Sequence, residues 1–155
     1  MNALRVTRTY VQRLCSGPET VFPLLCPVRE SDWLEDWACD LVYTVSGVAE
    51  PGCVFTTPHH GDTTTVWFMA DHEPPRRVRF VRVTPGAMVV EIDIRLAPLG
   101  SGETEAAIRY TYTALSEQGR ESLEQSTEQD WHRMMDWWET SMNHYLKTGQ
   151  RLRRT

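Results

Sequence analysis

Ser16-Gly-Pro-Glu-Thr-Val-Phe-Pro-Leu-Leu-Cys-Pro-Val-Arg-Glu-Ser-Asp-Trp-Leu-Glu-Asp-Trp37 separates two strand-like stretches of the chain. Ser16 stands three residues before Glu19, the form of a capping box, and Pro18 suits a helix's first turn. Pro23 and Pro27 keep that helix short. Residues 28–36 can form a second short helix, with Trp33 and Trp37 four apart on one face. Upstream, residues 4–14 are rich in Val, Thr and Tyr and read as a strand. Downstream come strands at residues 41–48, 53–57, 63–70, 78–84, 88–96 and 104–113, separated by clusters of Pro, Gly, His and Asp. Seven short strands joined by short turns predict an antiparallel meander.

The final segment is helical. Ser116 and either Ser126 or Thr127 are candidate caps, and Gly149 is the stop. An apolar arc of Trp131, Met134, Trp138, Met142 and Tyr145 recurs at helical spacing, with Asp136, Asn143 and Lys147 on the other side. That helix needs an apolar surface, and the concave face of the sheet is the one large candidate. The predicted class is α+β: a seven-stranded curved antiparallel sheet wrapped around a long C-terminal helix, with two short helices after the first strand. Space left between sheet and helix would hold a ligand.

The chain of 155 residues shows no second composition regime, so residues 1–155 form one domain. Apolar and charged fractions of 41% and 24% are those of an ordinary globular protein. A net charge of −5, with no basic stretch interleaved by aromatics, argues against nucleic acid as a partner. No apolar run approaches the ~20 residues of a membrane span. The first residues lack the apolar core of a signal peptide, which predicts a cytoplasmic protein. Cys15, Cys26, Cys39 and Cys53 have no paired-ligand spacing and read as reduced thiols. A monomer or homodimer is expected.

Register can be argued for the best-patterned strands. Val90, Ile92, Ile94 and Leu96 share one face of their strand, with Glu91, Asp93 and Arg95 on the other. A three-residue loop at Pro85-Gly86-Ala87 places Phe80 opposite Ile92 and Arg79 opposite Asp93. The same reasoning puts Ile108 opposite Ile92 and Arg109 opposite Glu91, and turns Ile108, Tyr110 and Tyr112 inward. Tyr43, Val45, Phe55, Trp67 and Met69 are also expected inward. Arg82 then falls on the inner face opposite Val90. Either it anchors a ligand's carboxylate or other oxygen group, or the register slips near the turn and water solvates it. The expected ligand-binding set is therefore Tyr43, Phe55, Trp67, Met69, Phe80, Arg82, Ile92, Ile108, Tyr110 and Tyr112 from the sheet, with Met134, Trp138 and Met142 from the helix.

The order of elements resembles the START/polyketide cyclase superfamily (SRPBCC), which includes the birch-pollen-allergen fold. The resemblance rests on residues 22–37, and on Asn143-His-Tyr-Leu-Lys-Thr-Gly149 at the helix end. It implies a helix-grip fold and a small hydrophobic ligand, lipid- or polyketide-like. Some members of the superfamily cyclise or dehydrate polyketides, and others only carry or sense ligands.

Candidate chemistry is sparse. His59, His60, Asp62 and His72 have metal-binding side chains, but His72 sits at the far end of a strand spanning roughly 25 Å. The other three read as a polar turn, so no metal is expected. Cys26, between Leu25 and Pro27, reads as a small buried hydrophobe. His132 and His144 lie off the apolar arc. No glycine-rich phosphate loop precedes a helix, and no cofactor is expected. No catalytic residue is legible. Three readings stay open: a small-molecule binder, a polyketide cyclase, aromatase or dehydratase using the same cavity, and a co-chaperone-like interaction module. The last predicts a filled core, with Trp33, Trp37 or Trp137 as exposed anchors.

Overall fold

A computed structural model describes residues 4–58, 63–100 and 102–154. Seven strands form one antiparallel sheet: β1 (Arg5–Leu14), β2 (Asp40–Tyr43), β3 (Val54–Pro58), β4 (Thr64–Glu73), β5 (Arg77–Thr84), β6 (Met88–Leu99) and β7 (Glu103–Ala114). Their order in space is β1-β7-β6-β5-β4-β3-β2, a meander with β1 returned to the side of β7. Between β1 and β2 lie α1 (Pro18–Val21), a 3-10 turn (Phe22–Leu25) and α2 (Pro27–Trp33). After β7 come α3 (Glu117–Gln125) and the long α4 (Glu128–Thr148). The expected α+β class, helix-grip architecture and paired short helices are all present.

Local chemistry explains most element ends. Prolines open α1, the 3-10 turn and α2. The cap of α1 is Gly17 with no side-chain hydrogen bond, so the expected Ser16–Glu19 box does not form. Ser116 caps α3 by accepting from Gly119 N. Thr127 and Asp130 make the capping box of α4, and Gly149 ends it in the left-handed region at φ 73°. Helix α2 stops at Trp33, so Trp33 and Trp37 part company: Trp33 packs edge-on against Trp138, and Trp37 against Trp67.

The β5–β6 register is as expected, with Phe80 opposite Ile92, Arg79 opposite Asp93 and Arg82 opposite Val90. The β6–β7 register differs by two residues. Tyr110, not Ile108, faces Ile92, and Arg109 faces Asp93 rather than Glu91. Both strands run further into their turn than the sequence suggests, to Leu99 and Glu103. Pro98 is tolerated because β5 pairs with β6 only as far as Arg95, so nothing on that side needs its missing N–H. A shift of two preserves sidedness, so Ile108, Tyr110 and Tyr112 still point inward and are buried.

Tyr43 and Val45 are corrections. The pairing of β2 with β3 shifts between Leu41 and Tyr43, so Tyr43 faces Val54 instead of Cys53. That bulge turns Tyr43 to the convex side, where it is 60% exposed. Val45 lies beyond the strand, in a turn gathered around Glu50, whose Oε1 accepts from Val45 N, Ser46 N and Thr44 Oγ1. Those bonds, Ser46's foremost, hold the Glu50 carboxyl down to about 2.

Helix α4 presses Trp131, Met135 and Met142 into the sheet, so the contact face centres on Met135 rather than Met134. Met134, Trp138 and Tyr145 lie on the flank, half-buried. Asn143, expected on the far side, bonds to β1 instead.

Two stability predictions follow from this packing. A Cβ on Gly119 would run into the carbonyl oxygen of Ala87 in the β5–β6 turn. Gly119→Ala is therefore expected to destabilise the fold by about 1–3 kcal/mol in urea denaturation. Glu30 sits on the inward face of α2 with Trp33 and Leu34, and burial raises its carboxyl from 4.5 to about 8. The unfolded chain sheds that proton near the ordinary value and the folded chain keeps it, so stability falls as pH rises between the two. Part of Glu30 still reaches water, so the loss across the window is about 1–2 kcal/mol. Glu30→Gln should flatten it, read as a higher denaturation midpoint at pH 8 with little change at acidic pH.

Candidate functional site

The inner face of the sheet is built in rows across neighbouring strands. Trp67, Arg82, Val90 and Tyr112 form one row, and Met69, Phe80, Ile92 and Tyr110 the next. Phe55 stacks on Trp67 with ring centroids 5.2 Å apart and meets Phe80 edge-on. Phe55, Phe80, Ile92, Ile108 and Met142 are thus packed into the core, away from the three cavities beside it. The middle of the grip is filled, and space remains on either side of it.

A space of about 720 Å³ lies between the β5–β6 turn and the helices α3 and α4. Its walls include Arg82, Val90, Tyr112, Leu123, Trp131 and Met134. Arg82 and Met134 also wall a neighbouring space of about 270 Å³, with Trp37, Trp67, Tyr110 and Trp138. A third, about 330 Å³ and almost wholly apolar, lies under the short helices, against Phe22, Cys26, Ala49, Met69, His72 and Val78. Of the residues expected to bind ligand, Trp67, Arg82, Tyr110, Tyr112, Met134 and Trp138 therefore gather around the first two cavities, and Met69 faces the third. Tyr43 faces none.

The polar character of the first two cavities is cationic and phenolic. The Arg82 guanidinium carbon lies 5.5 Å from the Trp67 ring centroid. That of Arg8, on β1, lies 5.5 Å from the Tyr112 ring. Burial raises the Tyr110 hydroxyl well above the ordinary phenol value, with Tyr112 and Glu30 adding to the rise and Arg82 opposing it. Burial raises Tyr112 as well, against the pull of Arg82 and Arg8. Both phenols remain protonated donors across the physiological range. His72, packed on Phe22, is lowered by burial and is a neutral ring.

Arg8, Glu30 and the Trp131 indole were missed as polar participants. The signal for Arg8 was the alternation Val6, Arg8, Tyr10, Gln12, Leu14, which puts it inward. The signal for Glu30 was its spacing of three and four from Trp33 and Leu34. His59, His60 and Asp62 fall outside the described residues. Among the described residues no three His, Cys, Asp or Glu side chains are grouped to hold a metal. No described helix is long and apolar enough to cross a membrane. Cys26 is half-buried and its Sγ accepts from Ala49 N. Trp33, a proposed exposed anchor, is buried and donates to Leu24 O.

No protein-family model matches the chain. No curated protein matches it either. Solved structures do. Ara h 8.0201 aligns over 94% of this chain and 99% of its own, with a TM-score of 0.66 at 13% identity. Norcoclaurine synthase from Thalictrum flavum, in complex with dopamine and hydroxybenzaldehyde, aligns over 94% and 89%, with a TM-score of 0.65 at 10% identity. DynU16, from the dynemicin biosynthetic locus, gives 0.60 at 13% identity over 93% of this chain, which spans about half, 48%, of that protein. The chain has the helix-grip fold that these structures share.

Proposed function

We propose that the protein binds a small hydrophobic or aromatic molecule between the sheet and the helices α3 and α4. One observation carries this reading. A cavity of about 720 Å³ persists there although the centre of the grip is closely packed, and a space of that size suits a single small ligand. Val90, Leu123, Trp131 and Met134 supply apolar wall, and Tyr112 and Arg82 supply polar contacts. A similarly folded protein was solved with the small aromatics dopamine and hydroxybenzaldehyde, which supports the ligand class by fold analogy.

An enzymatic reading, a polyketide cyclase, aromatase or dehydratase in the same cavity, is favoured by Glu30 alone. A carboxyl raised to about 8 is poised for proton transfer near neutral pH, and its charge acts on Tyr110. Glu30 does not line either cavity beside Arg82, so binding without turnover is the preferred reading. The interaction-module reading expected no cavity and an exposed anchor at Trp33, Trp37 or Trp137, of which Trp33 is buried and the other two are half-buried. What supports it is an apolar strip on the convex face at Tyr43, Val66 and Phe68.

Native mass spectrometry of gently purified protein is expected to reveal a mass excess that disappears on denaturation. Phenylnaphthylamine, a neutral fluorescent probe, should brighten with the protein. Met134→Trp, which fills the wall common to both cavities, should weaken the probe about tenfold or more with the circular dichroism unchanged. A clean apo mass together with a dark probe would sink the binding reading.

A further inference from the structure

Three buried nitrogen donors without an acceptor surround Tyr112: Arg82 Nε, Arg8 Nε and Trp131 Nε1. Trp131 is only 3% exposed, its ring walls the large cavity, and its indole N–H is turned to the Tyr112 hydroxyl without completing a hydrogen bond. Arg82 lines the same cavity and makes no ion pair among the described residues. Arg8 is bound through one terminal nitrogen to Ser126 O, and its charge lies over the Tyr112 ring. Guanidinium and indole can only donate, so the unmet need is for acceptor oxygens. Arg82 and Trp131 both bear on the Tyr112 hydroxyl, so their donors converge on one end of the cavity.

On the convex face of the sheet, buried charge is paired. Asp93, on the convex face, is 2% exposed and is met by Arg77, Arg95 and Arg109. Two carboxylates border the cavities, and neither supplies the missing acceptor. Asp130 is engaged by Thr127 N and by Arg133. Asp36 borders the smaller cavity and forms no ion pair with Arg82. A donor-only cluster, its Arg82 half-buried in the cavity wall and without an acceptor from the described residues, is complemented by an anionic ligand.

We propose that the cavity receives an apolar or aromatic acid, its carboxylate oxygens accepting from the Arg82 guanidinium and from the Tyr112 hydroxyl, with the Trp131 indole N–H set behind that hydroxyl. This rests on the small-molecule reading above and names the class of molecule. The aromatic or aliphatic body lies against Val90, Leu123 and Met134, and Arg8 adds positive potential behind Tyr112.

Titration calorimetry with naphthylacetate and naphthylethanol tests it, because the two share an apolar body and differ in the head. The protein should bind the acid about tenfold or more tightly than the alcohol, the worth of a charge-assisted hydrogen bond. Arg82→Met should abolish that preference, the loss falling far more on the acid than on the alcohol. It should not lower the melting temperature of the ligand-free protein, since it removes a half-buried charge that has no ion-pair partner among the described residues. Should Arg82→Met fail to fold, Arg82 is structural and the proposal falls. Tyr112→Phe gives a second reading, a severalfold loss for the acid that exceeds any loss for the alcohol. Equal affinities for acid and alcohol, unmoved by either substitution, would overturn the carboxylate site and leave the hydrophobic cavity standing. Binding of neither compound would overturn both.

Discussion

The whole fold hangs on how β1 holds α4. Strand β1 is one edge of the sheet, and its outward backbone groups would otherwise be an open template for pairing. Helix α4 covers them with side chains. Glu139 accepts from Arg13 N at 2.6 Å, and Asn143 accepts from Cys15 N while donating to Arg13 O. Across the same seam Gln12 donates to Met135 O and Tyr10 to Glu139. The partners are more than a hundred residues apart in sequence, so the seam closes the ends of the chain on each other. It also fixes the height and rotation of α4, and with them the face that Trp131, Met135 and Met142 present to the sheet.

That rotation decides where empty space remains. Once Met135 fills the contact, Met134 and Trp138 are left on the flank, facing the ends of β4 and β5. Helix α3 then packs Gly119 directly onto the β5–β6 turn, so that the helices meet the sheet at both ends and stand off between. The cavity is a consequence of bulky side chains meeting at a few points, which leaves volume that no side chain of the chain reaches.

The two faces of the sheet treat charge differently. On the convex side, burial tends to raise Asp93, but hydrogen bonds and charge from Arg77, with Arg95 and Arg109, outweigh it and lower the carboxyl. Arg79 turns to Asp71 and Glu91 on the same side. Neighbouring charges reach all of these groups. On the concave side Arg82 and Arg8 face aromatic rings, and their Nε groups lack acceptors. Pairing is local on one side and missing on the other, and the asymmetry coincides with the cavity.

Residues 16–37 and the alternation of 88–96 by themselves determined the architecture: a helical insert after the first strand, a meander, a closing helix. Proline positions, caps such as Thr127 and Gly149, and period-two patterning are local signals, so one strand's register against its hairpin partner could be read from a turn of known length. The sidedness of Phe55, Trp67, Phe80, Arg82 and Tyr110 followed from the same alternation. Tertiary structure alone decided the rest. The bulge that turns Tyr43 outward depends on how β2 meets β3, and the extra pairs at Leu99 and Glu103 depend on where β5 ends. Whether inward side chains line a cavity or fill it depends on the rotation of α4, which is set by Gln12, Glu139 and Asn143 across the seam. No window of sequence contains both sides of that contact, and the free volume, with the donors left unpaired around it, exists only after the contact is made.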